Sequence, residues 1–364
     1  MIFCECCFRD SIISSIIRSL PGKTVGDCPV CGSHSISLYD TKKQTDLTPY
    51  FEDLLSIYTP DAALPDDFPG ADRYLLLDDL RERWDLFADI SEEKCREILS
   101  SVCNDLAEAA PAMFADKVGI QESHDPSYLM DHALLRNSSW ETFVEEIKTV
   151  NRYHSKFVNF EILKRYCSFI RKKYKTGEYF YRARISDCTG YPPEKMSAPP
   201  PGKSSEGRAN ARGITCLYLA NDLETTLHEV RAGVFDYVSV GTFQLMKDIT
   251  VVNLRDINKI SPFIEGLDCM DHAINKQYLE KLDAEMSKPL RRADSTLDYV
   301  PTQYFVDFIK SIDHDGKQEY DGIEYNSTTY PGGFNLAIFD PDLFECIGVD
   351  VYDIDKLTYT KHKL

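Results

Sequence analysis

The sequence predicts an α+β protein in which a cysteine-rich segment and a helical segment precede a domain built on short strands. Three observations support this class. Paired cysteines mark the first forty residues, helical periodicity follows, and from about residue 177 short apolar runs rich in aromatic and β-branched residues take over. A chain of 364 residues is long for one hydrophobic core. We therefore predict three domains, spanning residues 1–40, 41–176 and 177–364.

The first segment carries two pairs of cysteines with zinc-site spacing. Cys4 and Cys7 form one CxxC pair, Cys28 and Cys31 form another, and twenty residues separate the pairs. Two residues between cysteines let a tight turn aim both thiolates at one ion, and two such turns complete a tetrahedron. The spacing predicts a closed, structural zinc site with Cys6 to spare. Free cytosolic thiols are the alternative.

Helical patterns dominate the middle segment. Pro49 suits the first turn of a helix, Ser91 suits an N-cap, and Ser138 with Glu141 has the form of a capping box. The last helix of this segment is predicted to end in a basic run that reaches Lys173. The segment contains no active-site motif, so we interpret it as a scaffold or partner-binding domain.

The C-terminal segment is predicted to alternate strands with long connections. Asp222 can cap a short helix that runs to about Arg231, and the loop over residues 191–213 is long enough to indicate a functional role. Strands are predicted for six apolar runs, over residues 179–185, 216–220, 237–245, 249–254, 322–325 and 334–339.

Charge is distributed unevenly. The formal net charge of −18 argues against binding of duplex nucleic acid, which requires a basic face. Arg182 nevertheless lies within an apolar strand, where an unpaired charge is costly, so a ligand or a buried acid must meet it. Arg184 shares its strand face by alternation. With Arg208 and Arg212 close in sequence, the segment suits a small phosphorylated ligand.

Five motifs follow one another in this segment. They are an Arg in the first strand, a GR-x-N-x-x-G segment, a Tyr in a strand, a Glu in the following helix and a late Ser. The residues are, in order, Arg182, Gly207, Arg208, Asn210, Gly213, Tyr218, Glu229 and Ser327. With these motifs in this order, about half of the chain resembles the RES domain family.

The resemblance implies an ADP-ribosyltransferase-like fold for the C-terminal domain and an enzyme that consumes NAD. It implies Glu229, Arg182 and Ser327 as catalytic residues. The residues implied to bind NAD are Arg182, Arg184, Arg208, Asn210 and Tyr218. RES proteins are commonly toxins of bacterial toxin–antitoxin pairs, so an antitoxin or regulatory partner is expected, and a homo-oligomer is left open.

The chemistry of NAD fits such residues. Loss of nicotinamide passes through an oxocarbenium-like state, which a carboxylate such as Glu229 stabilises, while arginines bind the pyrophosphate. Nicotinamide leaves without protonation, so no general acid is required. The acceptor stays open: water or phosphate would make the protein a glycohydrolase or phosphorylase, and a macromolecule would make it an ADP-ribosyltransferase. A non-catalytic zinc-dependent interaction protein is the alternative from another class.

Other motifs and segments are absent from the sequence. It has no GxxxxGK[ST], GxGxxG or GxSxG motif, which argues against P-loop, Rossmann and α/β-hydrolase sites. No apolar stretch is long enough for a membrane helix, and the first residues lack the pattern of a signal peptide. We therefore expect a cytoplasmic protein that does not bind membranes.

Overall fold

The computed structural model describes residues 1–22, 24–289 and 295–358, which fall into two compact units. The first unit comprises Met1–Asn137 and Lys259–Gln277, and the second comprises Ser138–Asn258 and Tyr278–Leu364. The three-domain division stays a prediction. None of the helices in the described ranges combines the length and apolarity that a membrane span requires.

Helices occur in both units. In chain order they are α1 Ser11–Ser19, α2 Thr48–Leu55, α3 Leu76–Glu82, α4 Glu92–Val102, α5 Asn104–Ala109, α6 Pro111–Ala115, α7 Pro126–His132, α8 Trp140–Glu145, α9 Phe160–Phe169, α10 Leu223–Glu229, α11 Cys269–Ser287 and α12 Val300–Ser311.

The strands are short in the first unit and longer in the second. In chain order they are β1 Ile2–Cys4, β2 Thr24–Gly26, β3 Ile36–Asp40, β4 Thr59–Pro60, β5 Tyr74–Leu75, β6 Lys117–Gly119, β7 Arg171–Tyr174, β8 Tyr179–Ser186, β9 Leu217–Ala220, β10 Tyr237–Leu245, β11 Ile249–Asn253, β12 Asp313–His314, β13 Lys317–Gln318, β14 Gly322–Asn326, β15 Phe334–Ile338 and β16 Phe344–Asp353.

One hydrophobic core of the first unit combines the cysteine-rich segment with the helical segment that follows it. Phe8 packs edge-on against Phe51 of α2, with ring centroids 6.1 Å apart, and Phe51 in turn contacts Phe263. The buried Cys4, Cys7 and Cys28 belong to the same core. The cysteine-rich segment is therefore packed into this unit by its apolar side chains as well as by its sulfurs.

The second unit contains a mixed sheet with the strand order β16-β10-β8-β9-β15-β14-β11-β7. Its neighbouring strands pair antiparallel except β11 and β14, which are parallel. This arrangement confirms the predicted α+β class, and all six predicted strands are present.

Two local predictions for the helical segment are wrong. The basic run after α9 is not the end of that helix but strand β7, which pairs with β11. Its alternation explains the difference, because Lys172 and Tyr174 both reach the buried Glu324, at 2.8 and 2.5 Å. The N-cap of α8 is Ser139, whose hydroxyl accepts from the Thr142 amide, and not the predicted Ser138.

Candidate active site

A cleft of about 550 Å³ opens in the second unit, at strands β8, β9 and β15 and helix α10. This volume lies in the range of sites for small ligands and cofactors. The cleft brings together residues that lie more than a hundred positions apart in the sequence. Its polar lining includes Arg182, Arg208, Tyr218, Glu229, Tyr325, Thr329 and Asn335.

Helix α10 places Glu229 at the cleft. The Asp222 side chain caps the helix by accepting from the Thr225 amide at 2.7 Å, as the sequence predicted. Leu223 and Leu227 of this helix pack against the sheet residues Ala183, Val238 and Val240. Because the apolar face is fixed on the sheet, the last residue of the helix, Glu229, is left to line the cleft.

Three side chains donate hydrogen bonds to the same oxygen of Glu229. Its Oε1 accepts from Ser327 Oγ at 2.6 Å, from Asn335 Nδ2 at 2.9 Å and from Thr329 Oγ1 at 3.1 Å. Within the described ranges no residue donates to Oε2. The nearby Tyr325 is buried, which raises the pKa of its hydroxyl, and the Glu229 carboxylate adds to that rise.

Ser327 lies in the turn that follows β14, and it meets Glu229 directly. Its hydroxyl also accepts from the backbone amides of Thr329 and Tyr330, at 3.3 and 3.1 Å. The turn therefore holds the Ser327 hydroxyl in one orientation, with its proton directed at Glu229. Its neighbours Thr328 and Thr329 line the cleft, whereas Ser327 is not among the described residues that line it.

Arg182 is a half-buried cation, and none of the described acidic residues pairs with it. Its Nη1 donates to the Tyr218 carbonyl at 3.0 Å, while its Nε is buried and has no hydrogen-bond partner among the described residues. Burial and the neighbouring Arg184 lower the pKa of Arg182 to about 10, so the side chain stays protonated at neutral pH. A partly buried charge of this kind is costly unless an anion pairs with it.

The loop that carries the GR-x-N-x-x-G segment is held by its own side chains. Arg208 donates to the carbonyls of Glu285 and Lys288 at the end of α11, at 2.7 and 2.6 Å. Asn210 is buried, and its Nδ2 donates to three carbonyls of the loop. The Tyr218 hydroxyl donates to Asn210 Oδ1 at 2.6 Å. These contacts show how Asn210 and Tyr218 shape the loop beside the cleft.

Two residues that sequence reasoning did not single out clamp the same loop from α12. The Gln303 carboxamide donates to the carbonyls of Gly207 and Asn210, at 2.8 and 2.9 Å. Thr302 Oγ1 donates to the Arg208 carbonyl at 2.8 Å. Both lie near the start of α12, and their partners lie more than ninety positions away in the sequence.

Arg184 is not among the described residues that line the cleft. Its guanidinium donates to the Lys195 carbonyl and lies over the Tyr191 ring, 4.6 Å from the centroid. Alternation puts it on the same face of β8 as Arg182, but it lies two positions further toward the end of the strand. The predicted role of Arg184 in binding NAD stays a prediction.

Asn335 is a contact of Glu229 that the sequence reasoning missed, whereas Thr329 was included only as an alternative to Ser327. Thr329 lies in a run of polar residues, 326–329, in which any member could take the role predicted for Ser327. Asn335 is a polar residue in an otherwise apolar strand, and it is buried in the structure. A polar residue in such a strand is the one signal that could have identified it.

The four predicted zinc ligands meet in the first unit. Their sulfurs all lie within 4.8 Å of one another, with Cys4–Cys31 at 3.4 Å, Cys7–Cys28 at 3.7 Å and Cys4–Cys7 at 3.9 Å. A tetrahedral zinc with Zn–S bonds of about 2.3 Å requires sulfur separations of about 3.8 Å. Gly32 closes one turn with a left-handed φ of 75°. The four cysteines therefore fit a tetrahedral metal ion.

Burial raises the pKa of Cys4 and Cys7, so these thiols stay protonated unless a cation lies beside them. Cys6 is exposed and lies outside the cluster.

Comparison with known proteins gives one match. The model of the RES domain family matches residues 180–360. This range includes all the cleft residues named above. No curated protein and no solved structure matches the chain significantly.

Proposed function

Because residues 180–360 of this chain belong to the RES domain family, we propose that the protein cleaves the bond between nicotinamide and ribose in NAD. The acceptor is water or phosphate in the favoured version of this proposal. Transfer of ADP-ribose to a macromolecule is its variant. We further propose that the enzyme is a bacterial toxin or defence effector that acts in the cytoplasm, where its partner is an antitoxin or a regulatory protein.

The observation that supports the proposal most strongly is the guanidinium of Arg182, whose Nε is buried. It has no carboxylate partner within ion-pair distance among the described residues, and its Nε is without a hydrogen bond. The same cleft contains the carboxylate of Glu229. In NAD, the ribose whose bond is cleaved connects the anionic pyrophosphate on one side to the cationic nicotinamide ring on the other. The Arg182 guanidinium and the oriented Glu229 carboxylate, which line the same cleft, match both charges.

The proposed roles follow from these charges. Arg182 binds the pyrophosphate, and the Glu229 carboxylate stabilises the positive charge that develops on the ribose as nicotinamide leaves. Ser327 acts through Glu229, whose Oε1 it holds. Contacts of Arg208, Asn210 and Tyr218 with NAD stay part of this proposal, and the same residues hold the loop beside the cleft. No proton is transferred to the leaving group, because nicotinamide departs as a neutral ring.

The cysteine cluster is proposed to bind one zinc ion that stabilises the first unit. All four ligands come from the protein, so the site has no open position for substrate. Zinc would have no part in the cleavage of NAD.

Product analysis tests the function. Purified protein is incubated with NAD carrying label in the adenosine half, with and without phosphate, and the products are separated. Free nicotinamide with labelled ADP-ribose supports hydrolysis, and labelled ADP-ribose phosphate supports phosphorolysis. Label on a protein or nucleic acid supports the transferase. Absence of both NAD turnover and NAD binding would favour the non-catalytic interaction protein instead.

A further inference from the structure

One carboxylate oxygen of Glu229 accepts hydrogen bonds from side chains outside the family motifs as well as from one within them. Ser327 is one of the donors to Oε1, and Asn335 and Thr329 are the others. We propose that Asn335 and Thr329 are positioning residues, which lock Oε1 of Glu229 so that Oε2 alone is presented to the ribose. This inference rests on the NAD-cleaving function proposed above, and it deepens that function by assigning the residues that orient its carboxylate.

Asn335 has a fixed position from which to donate. It lies in the middle of the sheet, where its strand β15 pairs with both β14 and β9, opposite Tyr325 and Ala220. Only 4% of the residue is exposed, and its Nδ2 reaches Glu229 at 2.9 Å. A position so deeply buried would suit an apolar side chain if packing were its only role. The Asn335 amide instead donates to the Glu229 carboxylate.

Thr329 lies in the turn between β14 and β15, and from there it reaches the same oxygen of Glu229. Its Oγ1 lies 3.1 Å from Glu229 Oε1 and 3.2 Å from Ser327 Oγ, and its amide donates to that hydroxyl. One donor, Asn335, thus comes from strand β15, and two donors, Ser327 and Thr329, come from the turn that precedes this strand. Three donors from two separate elements define the direction of the carboxylate more narrowly than one donor can.

The physical consequence concerns the rate and not the binding of substrate. A glutamate at the end of a helix has three side-chain torsions and would otherwise sample several rotamers. A carboxylate stabilises the oxocarbenium-like state only while it points at the ribose, so loss of orientation reduces catalysis. Asn335 and Thr329 act in the transition state through Glu229, and the contacts that bind NAD elsewhere in the cleft are unaffected.

The test uses a pair of matched variants at Thr329. Thr329→Val preserves shape and removes the hydroxyl, and we expect it to lower kcat about tenfold while KM changes less than twofold. Thr329→Ser restores the hydroxyl and is expected to recover most of the lost turnover. Asn335→Ala, at the second position, is expected to lower kcat by about ten- to a hundredfold. Melting temperatures show which variants remain folded, and the Thr329 pair suffices if Asn335→Ala does not fold.

A double-mutant cycle separates positioning from a general structural role. In a Glu229→Gln background, Thr329→Val and Asn335→Ala should cause little further loss of kcat, because the group they orient has lost its charge. Equal losses in both backgrounds, or a loss confined to KM, would overturn the proposal. Full turnover by folded single variants would overturn it while leaving the NAD-cleaving function intact. A wild-type protein that does not cleave NAD would overturn both.

Discussion

Gly333 packs so tightly against Thr225 that a Cβ atom at residue 333 would lie 2.1 Å from the Thr225 Oγ1. Thr225 belongs to α10, the helix that ends at Glu229, and the Gly333 carbonyl accepts from the amide of Ser327 at 2.9 Å. The contact therefore joins the two elements from which Glu229 and Ser327 project. Only a residue without a side chain fits between them.

Gly333→Ala is expected to lower both stability and NAD turnover. The added methyl group would displace α10 or the turn, at a cost of about 1–3 kcal/mol in the free energy of unfolding. Chemical denaturation and a nicotinamide-release assay measure the two effects. Adding Thr225→Ala removes the two closest atoms and should recover part of both losses. Gly348→Ala is the control, because a Cβ there meets nothing within 4 Å. Equal behaviour of the two alanine variants would contradict the account.

Arg182→Met is expected to weaken binding of ADP-ribose by about 10- to 150-fold, which corresponds to the roughly 1.5–3 kcal/mol of a hydrogen bond to a charged group. The methionine fills the space but cannot pair with the pyrophosphate. The melting temperature should not fall, because the substitution removes a charge that has no carboxylate partner among the described residues. Isothermal titration and thermal unfolding measure the two.

Arg184→Met provides the control for charge, since its guanidinium is engaged by Lys195 and Tyr191 outside the cleft. We expect a smaller loss of affinity from that variant. If Arg182→Met binds ADP-ribose as tightly as the wild type, Arg182 is not part of the site.

Cys28→Ser is expected to reduce the metal content and to destabilise the first unit, because a serine hydroxyl is a much weaker zinc ligand than a thiolate. Elemental analysis of the purified protein should give one zinc per chain, and thermal unfolding should show the loss of stability. Cys6→Ser is the matched control, since Cys6 is exposed and lies outside the cluster. Protein that is cleanly purified yet contains no stoichiometric metal would refute the zinc assignment.

The strands of the central sheet could be predicted where apolar runs were continuous, as in β10, which spans the predicted 237–245. The sequence did not reveal β7, because its charges look like a helix end and its partner Glu324 lies 150 residues away. Strand β16 at the sheet edge was missed as well. Its exposed and half-buried positions, with Asp350 and Glu345 among them, do not form an apolar run.

The residues of the candidate site divide in the same way, into those that a sequence motif identifies and those that only contacts between distant segments bring together. The order of motifs led to Arg182, Arg208, Tyr218 and Glu229, and all four line one cleft. Sequence order contains no signal for the clamp of Gln303 on Gly207, since the donor and the acceptor are 96 positions apart. Such contacts depend on how strands and helices meet in space.

The catalytic role of Glu229 is tested most directly by the release of nicotinamide from NAD, compared between the wild-type protein and Glu229→Gln, which preserves the shape of the side chain and removes its charge. We expect the wild type to release nicotinamide and the variant to do so about 10²–10³ times more slowly, the size of effect produced by loss of one preorganised electrostatic group. The KM for NAD should change little, because the carboxylate acts in the transition state. Equal rates of nicotinamide release by the two proteins would contradict the assignment of Glu229 as the catalytic residue.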